Sequence, residues 1–345
     1  MEKTKLSKIA RQIVSLGKGI LAADESTPTI TKRFKSINTG STPELRRAYR
    51  NILFTTEGLE QYISGVIMYD ETIKQKTFEG IPFPKYLSDK GILTGIKVDK
   101  GAKPMTFHEG EKLTEGLDGL RERLMKYKEL GASFTKWRAV ISVGKEIPSY
   151  TCIKENAINL ARFAATSQEC GLVPIVEPEV LMDGTQNIDQ SLEITEKVLK
   201  NTFSELHFLN VFLEGMILKC NMVLEGYNSL SKASPREVAE KTLKCLSRTV
   251  PSAVPGIAFL SGGQSYEDAT QHLNLINKLL IPGIGKWPWR LSFSYGRALQ
   301  QPALQAWKGN MDNIKESQAA LLHRAKCNSE ATMGVLQAEV HMSTT

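Results

Sequence analysis

Lys219 is the residue of this chain best suited to covalent chemistry. It ends an apolar run, residues 212–218, that is typical of a buried strand. Burial disfavours the charged ammonium and therefore favours the neutral amine. Because a neutral amine can attack a carbonyl carbon and form a Schiff base, the sequence predicts carbonyl chemistry at this lysine.

Other strand-like segments also end in polar side chains. Three of them end in charged residues two positions apart: Lys97 and Asp99, Lys136 and Arg138, and Glu177 and Glu179. Residues i and i+2 of a strand share a face, so each pair is expected to point the same way. Asp24, Ser261 and Ser294 end three further segments. So many buried charges would need repeated compensation as separate salt bridges, which favours one shared active site.

The apolar runs predict an α/β fold. Eight short strands are expected at residues 19–24, 65–70, 93–99, 132–138, 172–179, 213–219, 256–261 and 289–294. Helical patterns are expected at 115–130, 149–170, 234–249, from 265 onward and at 313–326. This alternation predicts a single-domain (β/α)8 TIM barrel over residues 1–345, with extra N- and C-terminal helices and a flexible C-terminal tail from about residue 327. A doubly wound open sheet is the alternative, disfavoured because no G-x-G-x-x-G follows the first strand.

Composition excludes several classes of function. The 345 residues are 41% hydrophobic and carry a formal net charge of +7, but the basic residues are scattered. We therefore expect no nucleic-acid partner and favour phosphorylated small molecules. The five cysteines are far apart and the five histidines have no metal-site spacing, so reduced thiols and no metal or other cofactor are expected. No membrane segment or apolar signal core is present, so a cytoplasmic location is expected, with an organelle-targeting peptide left open.

Two segments are candidates for phosphate binding. The glycines of the Ser261-Gly262-Gly263 turn let backbone N–H groups approach an anion before a helix begins. Ser294, Gly296 and Arg297 follow the eighth predicted strand, and phosphate sites after strands 7 and 8 are frequent in this fold. A second anion site is expected from Ser26, Thr29, Arg33 and Lys97.

The ordered motifs resemble those of class I fructose-bisphosphate aldolases, the metal-independent Schiff-base type. They are GILAADEST (19–27), GIKVDKG (95–101), KWR (136–138), VPIVEPE (173–179), LK (218–219), FLSGGQS (259–265) and SFSYGRAL (292–299). Together they cover residues from about 10 to 325 in the family's order. The resemblance implies reversible cleavage of fructose 1,6-bisphosphate to dihydroxyacetone phosphate and glyceraldehyde 3-phosphate, in glycolysis and gluconeogenesis.

The resemblance also implies residue roles. Lys219 would form the Schiff base, Glu177 would act as general acid and base, and Asp24 would take the C4 hydroxyl proton. Lys136 would support the imine chemistry and Glu179 would orient the lysines. The C1 phosphate would be held by the turn and strand-end residues, which are Ser261, Gly262, Gly263, Ser294, Gly296 and Arg297. The C6 phosphate would be held by Ser26, Thr29, Arg33 and Lys97, with Arg138 near that end.

The chain departs from the family pattern in three places. Cys220 stands where proline usually follows the reactive lysine, so a thiol beside the site, either reactive or buried and inert, is expected. Pro28 and Thr29 replace glycine and serine, although the hydroxyl is retained. No tyrosine follows Tyr295, whereas family tails end in a tyrosine that assists proton transfer, so slower proton exchange or another proton carrier is expected.

Two other functions stay open at this point. One is a Schiff-base aldolase or transaldolase for another sugar phosphate, and the other is a scaffold that binds protein partners such as cytoskeletal filaments. The resemblance further implies a homotetramer, with moonlighting partners left open.

Overall fold

The computed structural model of the protein describes residues 3–280 and 285–337. Eight parallel strands in this part of the chain form a closed barrel in the order β1-β10-β9-β8-β7-β6-β3-β2, and β4 pairs with β5 in a separate antiparallel hairpin. The strands are β1 (Gly19–Ala23), β2 (Ile63–Met68), β3 (Leu93–Lys97), β4 (Ala102–Met105), β5 (His108–Thr114), β6 (Phe134–Ile141), β7 (Val173–Val180), β8 (Ile217–Cys220), β9 (Gly256–Phe259) and β10 (Arg290–Tyr295).

Helices surround the barrel and close one of its ends. They are α1 (Lys3–Ile13), α2 (Thr27–Lys35), α3 (Pro43–Phe54), α4 (Asp70–Ile73), α5 (Phe83–Asp89), α6 (Leu120–Glu129), α7 (Tyr150–Glu169), α8 (Ile188–Phe208), α9 (Pro235–Thr249), α10 (Tyr266–Lys278), α11 (Arg297–Trp307) and α12 (Ile314–Met333). None of these helices combines the length and apolar character that a bilayer crossing requires.

The (β/α)8 TIM-barrel prediction is confirmed, with shifted boundaries. Each barrel strand overlaps a predicted one, but β8 begins only at Ile217 because Leu213–Gly215 forms a 3₁₀ turn. The hairpin of β4 and β5 was not predicted, since it lies outside the barrel and is largely exposed. The extra helices predicted at both ends are α1 and α12.

Local caps set where the helices begin. Ser149 accepts a hydrogen bond from the Cys152 amide at the start of α7, and Ser234 accepts one from the Glu237 amide ahead of α9. Helix α8 carries a reciprocal capping box between Asn187 and Gln190. Such caps satisfy amides that have no partner within the helix, and they fix the exit of the chain from the preceding strand.

The half of the barrel interior at the amino ends of the strands, called the lower half here, is an apolar core closed by α1. Phe134 fills the space beside Gly65 and Gly95, because a Cβ at Gly95 would lie 2.0 Å from its ring. Leu6, Ala10 and Ile13 of α1 belong to the same cluster as Phe134 and the inward residues of β7 and β8. This packing fixes the strands from below and leaves their carboxyl ends to carry polar groups.

The C-terminal prediction is wrong for residues 327–333. Helix α12 continues to Met333, and Cys327, Asn328 and Ala331 are buried. The small and polar residues that suggested a mobile tail instead allow this helix to pack closely: Ser329 donates to the Gly17 carbonyl at 2.6 Å. Residues 338–345, the last part of the predicted tail, lie outside the described residues.

Candidate active site

Lys219 lies inside the barrel near the carboxyl end of β8. Its residue exposure is 4%, and the preceding inward residue, Ile217, is fully buried in the apolar core below it. Because side chains alternate along a strand, Cys220 points the opposite way, into the layer between barrel and helices. The strand therefore presents the amine to the interior and the thiol to the outer core.

Three charged side chains predicted from separate strands form a row of ion pairs with Lys219. Its Nζ lies 2.9 Å from Glu177 Oε1, and Glu177 Oε2 lies 2.9 Å from Lys136 Nζ. Lys136 Nζ lies 2.7 Å from Asp24 Oδ2. The result is an alternating chain of charges, Lys219–Glu177–Lys136–Asp24, supplied by β8, β7, β6 and the end of β1.

The alternation of charge stabilises the ionised forms of Asp24, Glu177 and Lys136. Burial by itself would raise the pKa of Asp24, but the ammonium groups of Lys136 and Lys219 lower it. Burial would also raise the pKa of Glu177, but the same two lysines and Arg138 lower it below its ordinary value. Burial by itself would lower the pKa of Lys136, but the carboxylates of Asp24 and Glu177 raise it well above its ordinary value. Lys136 is thus held as a cation between two carboxylates.

A second set of charges surrounds these four side chains at the mouth of the barrel. Arg138 pairs with Glu179, and its side chain is 42% exposed. Lys97 Nζ lies 2.5 Å from Asp99 Oδ1, while Asp99 Oδ2 accepts the Arg138 amide at 3.2 Å. The predicted i,i+2 pairs therefore interlock: Asp99 ties β3 to β6, and Glu179 ties β7 to β6.

A buried network beside Asp24 was missed by the sequence analysis. Glu25 is 7% exposed; it pairs with Arg33, and its Oε2 lies 2.6 Å from Arg50 Nη2. Gln300 donates to Glu25 Oε1 at 2.8 Å and to the Ala22 carbonyl at 2.7 Å. The network fixes the end of β1 and hence Asp24. Arg50 carried no usable signal, because an arginine in an amphipathic helix is ordinarily exposed.

The predicted glycine turn lies where β9 leads into α10. Gly262 and Gly263 have φ angles of +60° and +101°, and the Gln264 amide donates to the Ser261 carbonyl at 3.0 Å. A Cβ at Gly263 would lie 2.8 Å from Arg297 Nη2, so the guanidinium faces the turn. The turn, the start of α10 and Arg297 together offer a positive site for an anion.

Ser294 and Gly296 lie next to this turn on β10 and at the start of α11. The Ser294 hydroxyl is buried and has no hydrogen-bond partner among the described residues. A Cβ at Gly296 would lie 3.6 Å from Arg33 Nη2. Arg33, which was expected at the C6 phosphate, therefore also lies beside the residues expected to bind the C1 phosphate.

The other predicted anion site begins where β1 leads into α2. The hydroxyls of Ser26 and Thr29 lie 3.1 Å apart on the first turn of that helix. Ser26 is the N-cap residue, but its side chain makes no capping bond. The amides at this helix start that have no partner within the helix are therefore available to an anion.

Cys220 is not a reactive thiol in this environment. It is fully buried, and burial raises its pKa well above the ordinary value, with Cys245 as a further cause. Since the thiolate is the nucleophilic form, this residue is expected to be inert in the folded protein.

Comparisons with known proteins identify relatives of the whole chain. A family model described as fructose-bisphosphate aldolase class-I matches residues 5–345. A probable fructose-bisphosphate aldolase class 1 from Xanthomonas campestris is 53% identical over 335 residues, covering 97% of this chain and 99% of that protein. The cytosolic fructose-bisphosphate aldolase 4 of Arabidopsis thaliana is 53% identical over 325 residues, covering 94% of this chain and 82% of that protein.

A solved structure has the same fold. Plasmodium falciparum fructose-bisphosphate aldolase, crystallised with TRAP and a small-molecule inhibitor, superposes with a TM-score of 0.95 and is 46% identical. The match covers 98% of this chain and 96% of that one. The resemblance inferred from the ordered motifs is therefore confirmed, and the chain belongs to the class-I fructose-bisphosphate aldolase family.

Proposed function

We propose that this chain cleaves fructose 1,6-bisphosphate reversibly to dihydroxyacetone phosphate and glyceraldehyde 3-phosphate through a Schiff base on Lys219. The observation that carries the proposal is the buried chain of ion pairs Lys219–Glu177–Lys136–Asp24 at the carboxyl ends of the strands. An amine, a proton-transfer carboxylate, a fixed cation and a second carboxylate are the groups that imine-dependent carbon–carbon cleavage requires.

Lys219 and Glu177 carry the formation of the imine. Nζ attacks the C2 ketone as a neutral amine, and Glu177 at 2.9 Å is within reach to accept its proton. The same carboxyl group then donates a proton to the carbinolamine oxygen, which leaves as water. The protonated imine that results withdraws electrons from the C3–C4 bond.

Asp24 and Lys136 serve the cleavage step. Asp24 stays ionised because of its lowered pKa, so it can accept the C4 hydroxyl proton as the C3–C4 bond breaks. Lys136 lies between Asp24 and Glu177 and holds both carboxylates in place through contacts of 2.7 and 2.9 Å. Glu179, expected to orient the lysines, instead pairs with Arg138 and would orient that guanidinium at the mouth of the barrel.

Two anion sites fix the substrate at its ends. The glycine turn would hold the C1 phosphate together with Ser261, Ser294, Gly296 and Arg297. The buried Ser294 hydroxyl has no hydrogen-bond partner among the described residues, so it can donate to this phosphate. Ser26, Thr29, Arg33 and Lys97 would hold the C6 phosphate, with Arg138 nearby. Two separated clamps place C2 at the amine, which lowers the entropic part of the barrier.

The test is a cleavage assay with product identification, with and without a chelator. We expect fructose 1,6-bisphosphate to give the two triose phosphates at the same rate in the presence of EDTA. Loss of activity with EDTA would contradict the imine mechanism. Preference for another sugar phosphate would support the alternative Schiff-base aldolase or transaldolase.

We further propose a homotetramer in the cytoplasm. The family resemblance supports the assembly, and the cytosolic names of plant relatives support the location. Light scattering coupled to size exclusion tests the assembly: a mass of one chain, 38.3 kDa, would contradict it. A protein-binding role is a secondary hypothesis that rests on the net positive charge of +7 alone, and a pull-down in which no partner depends on the basic residues would contradict it.

A further inference from the structure

Tyr227 lies on the loop that follows the strand of Lys219, and none of the roles described so far includes it. Its amide donates to the Met182 carbonyl at 2.8 Å. The amides on either side, of Gly226 and Asn228, donate to the carbonyls of Gln186 and Gly184. These hydrogen bonds attach the loop after β8 to the loop after β7, and they fix the backbone position from which the Tyr227 side chain extends.

The side chain of Tyr227 reaches across to the glycine turn after β9. Its hydroxyl donates to the Gly262 carbonyl at 2.5 Å. A Cβ at Gly263 would lie 2.1 Å from the Tyr227 oxygen and 2.8 Å from Arg297 Nη2. The tyrosine and the arginine therefore flank the same glycine, which leaves no room for a larger residue there.

This hydrogen bond selects one orientation of the Gly262–Gly263 peptide. In a trans peptide the C=O and N–H groups point in opposite directions. With the Gly262 carbonyl directed to Tyr227, the Gly263 N–H is directed away from it, and no described residue accepts a hydrogen bond from the N–H of Gly262 or Gly263.

Two adjacent glycines at positive φ would otherwise leave this peptide free to rotate. Rotation would place the carbonyl oxygen where the N–H had been and would repel an anion. Burial raises the pKa of Tyr227 to about 12, so the hydroxyl keeps its proton and remains a donor at neutral pH.

We propose that Tyr227 is a positioning residue for the C1 phosphate, that is, for the dihydroxyacetone phosphate half of the substrate, and this inference rests on the proposed function. Tyr227 acts through the glycine turn: it fixes the peptide whose N–H, with Arg297, binds the phosphate. The C6 phosphate, carried by glyceraldehyde 3-phosphate, is bound by the other clamp and does not depend on Tyr227.

The condensation reaction separates the two halves within one enzyme. In the Tyr227→Phe variant the ring is kept and only the hydroxyl is lost. We expect KM for dihydroxyacetone phosphate to rise roughly three- to tenfold, the cost of one hydrogen bond. KM for glyceraldehyde 3-phosphate and kcat should be unchanged, because the lost interaction serves ground state and transition state alike.

The matched control is Tyr150→Phe, which removes a hydroxyl from an exposed tyrosine at the start of α7. It should leave both KM values unchanged. An unchanged KM for dihydroxyacetone phosphate in Tyr227→Phe, or an equal rise of both KM values, would overturn the proposal.

A second measurement separates this inference from the proposed function. If the wild-type protein catalyses no condensation, the proposed function fails, and inorganic phosphate then serves as the probe. Calorimetric titration should give a weaker phosphate site in Tyr227→Phe than in the wild type. An identical affinity in the two proteins would overturn the positioning role.

Discussion

The lower and upper halves of the barrel interior are almost equally buried and chemically opposite. Ile217 is 0% exposed and Lys219, two residues later on the same face of β8, is 4% exposed. On β6 the same step leads from Phe134 to Lys136, and on β7 from Ile175 to Glu177. A step of two residues along each of these strands separates an apolar core from a site of charges.

The two halves differ in what their burial achieves. Each buried CH₂ group of the lower half contributes about 0.8 kcal/mol to stability. A buried ion pair gives little or no net stability, because desolvation of two charges offsets their attraction. We infer that the lower half and α1 hold the fold, and that the charges above them are retained for chemistry. Four substitutions or conditions test this division.

The largest effect is expected from Lys219→Met. Removing the proposed nucleophile should lower kcat for cleavage by roughly 10⁴-fold or more. The variant should stay folded, because Met fills the space and Glu177 keeps its contact with Lys136. Steady-state cleavage and thermal unfolding measure the two properties, and substantial turnover by this variant would contradict the division.

Glu177→Gln should give the next largest effect. The amide keeps the shape but cannot transfer a proton, so kcat should fall by about 10²- to 10⁴-fold. Glu193→Gln on the exposed face of α8 is the matched control and should retain full activity. Equal kcat values for the two variants would show that Glu177 is a structural ion pair only.

Ile217→Ala tests the lower half of the same strand as Lys219. Loss of this buried side chain should lower the free energy of unfolding by about 2–5 kcal/mol, through lost apolar contact and a residual cavity. Urea denaturation measures this, and kcat of the remaining folded protein should be close to that of the wild type. A large loss of kcat without loss of stability would mean that the halves are not separable.

The smallest effect is expected in the acid range. The pKa values of Asp24 and Glu177 are lowered in the folded protein, so both groups contribute stability above their ordinary values of about 4. That contribution is lost as pH falls through the lowered folded values. The free energy of unfolding should therefore fall less steeply below about pH 4 in Asp24→Asn than in the wild type. Parallel pH profiles would contradict the assigned shifts.

The barrel and the centre of the site could be predicted because their signals are local. A strand's apolar run and the i,i+2 spacing of Glu177 and Glu179 depend on a few adjacent residues. Parallel strands then bring their carboxyl ends together, so the meeting of Lys219, Glu177, Lys136 and Asp24 follows from the fold. Their roles in catalysis stay predictions.

The rest depends on contacts between distant parts of the chain. Gln300 and Glu25, which fix the end of β1, are 275 positions apart. Tyr227 reaches Gly262 across 35 positions from a loop that has no regular pattern. The extension of α12 was missed because its small residues are buried by neighbours, and its own periodicity does not indicate this.

The most direct test of the central claim is borohydride reduction of the protein in the presence of dihydroxyacetone phosphate, followed by peptide mass spectrometry. Lys219 is the amine that the barrel presents beside Glu177. We predict a stable adduct on the peptide that contains Lys219, and none in Lys219→Met. An active protein with an unmodified Lys219, or an adduct on another lysine, would contradict the account.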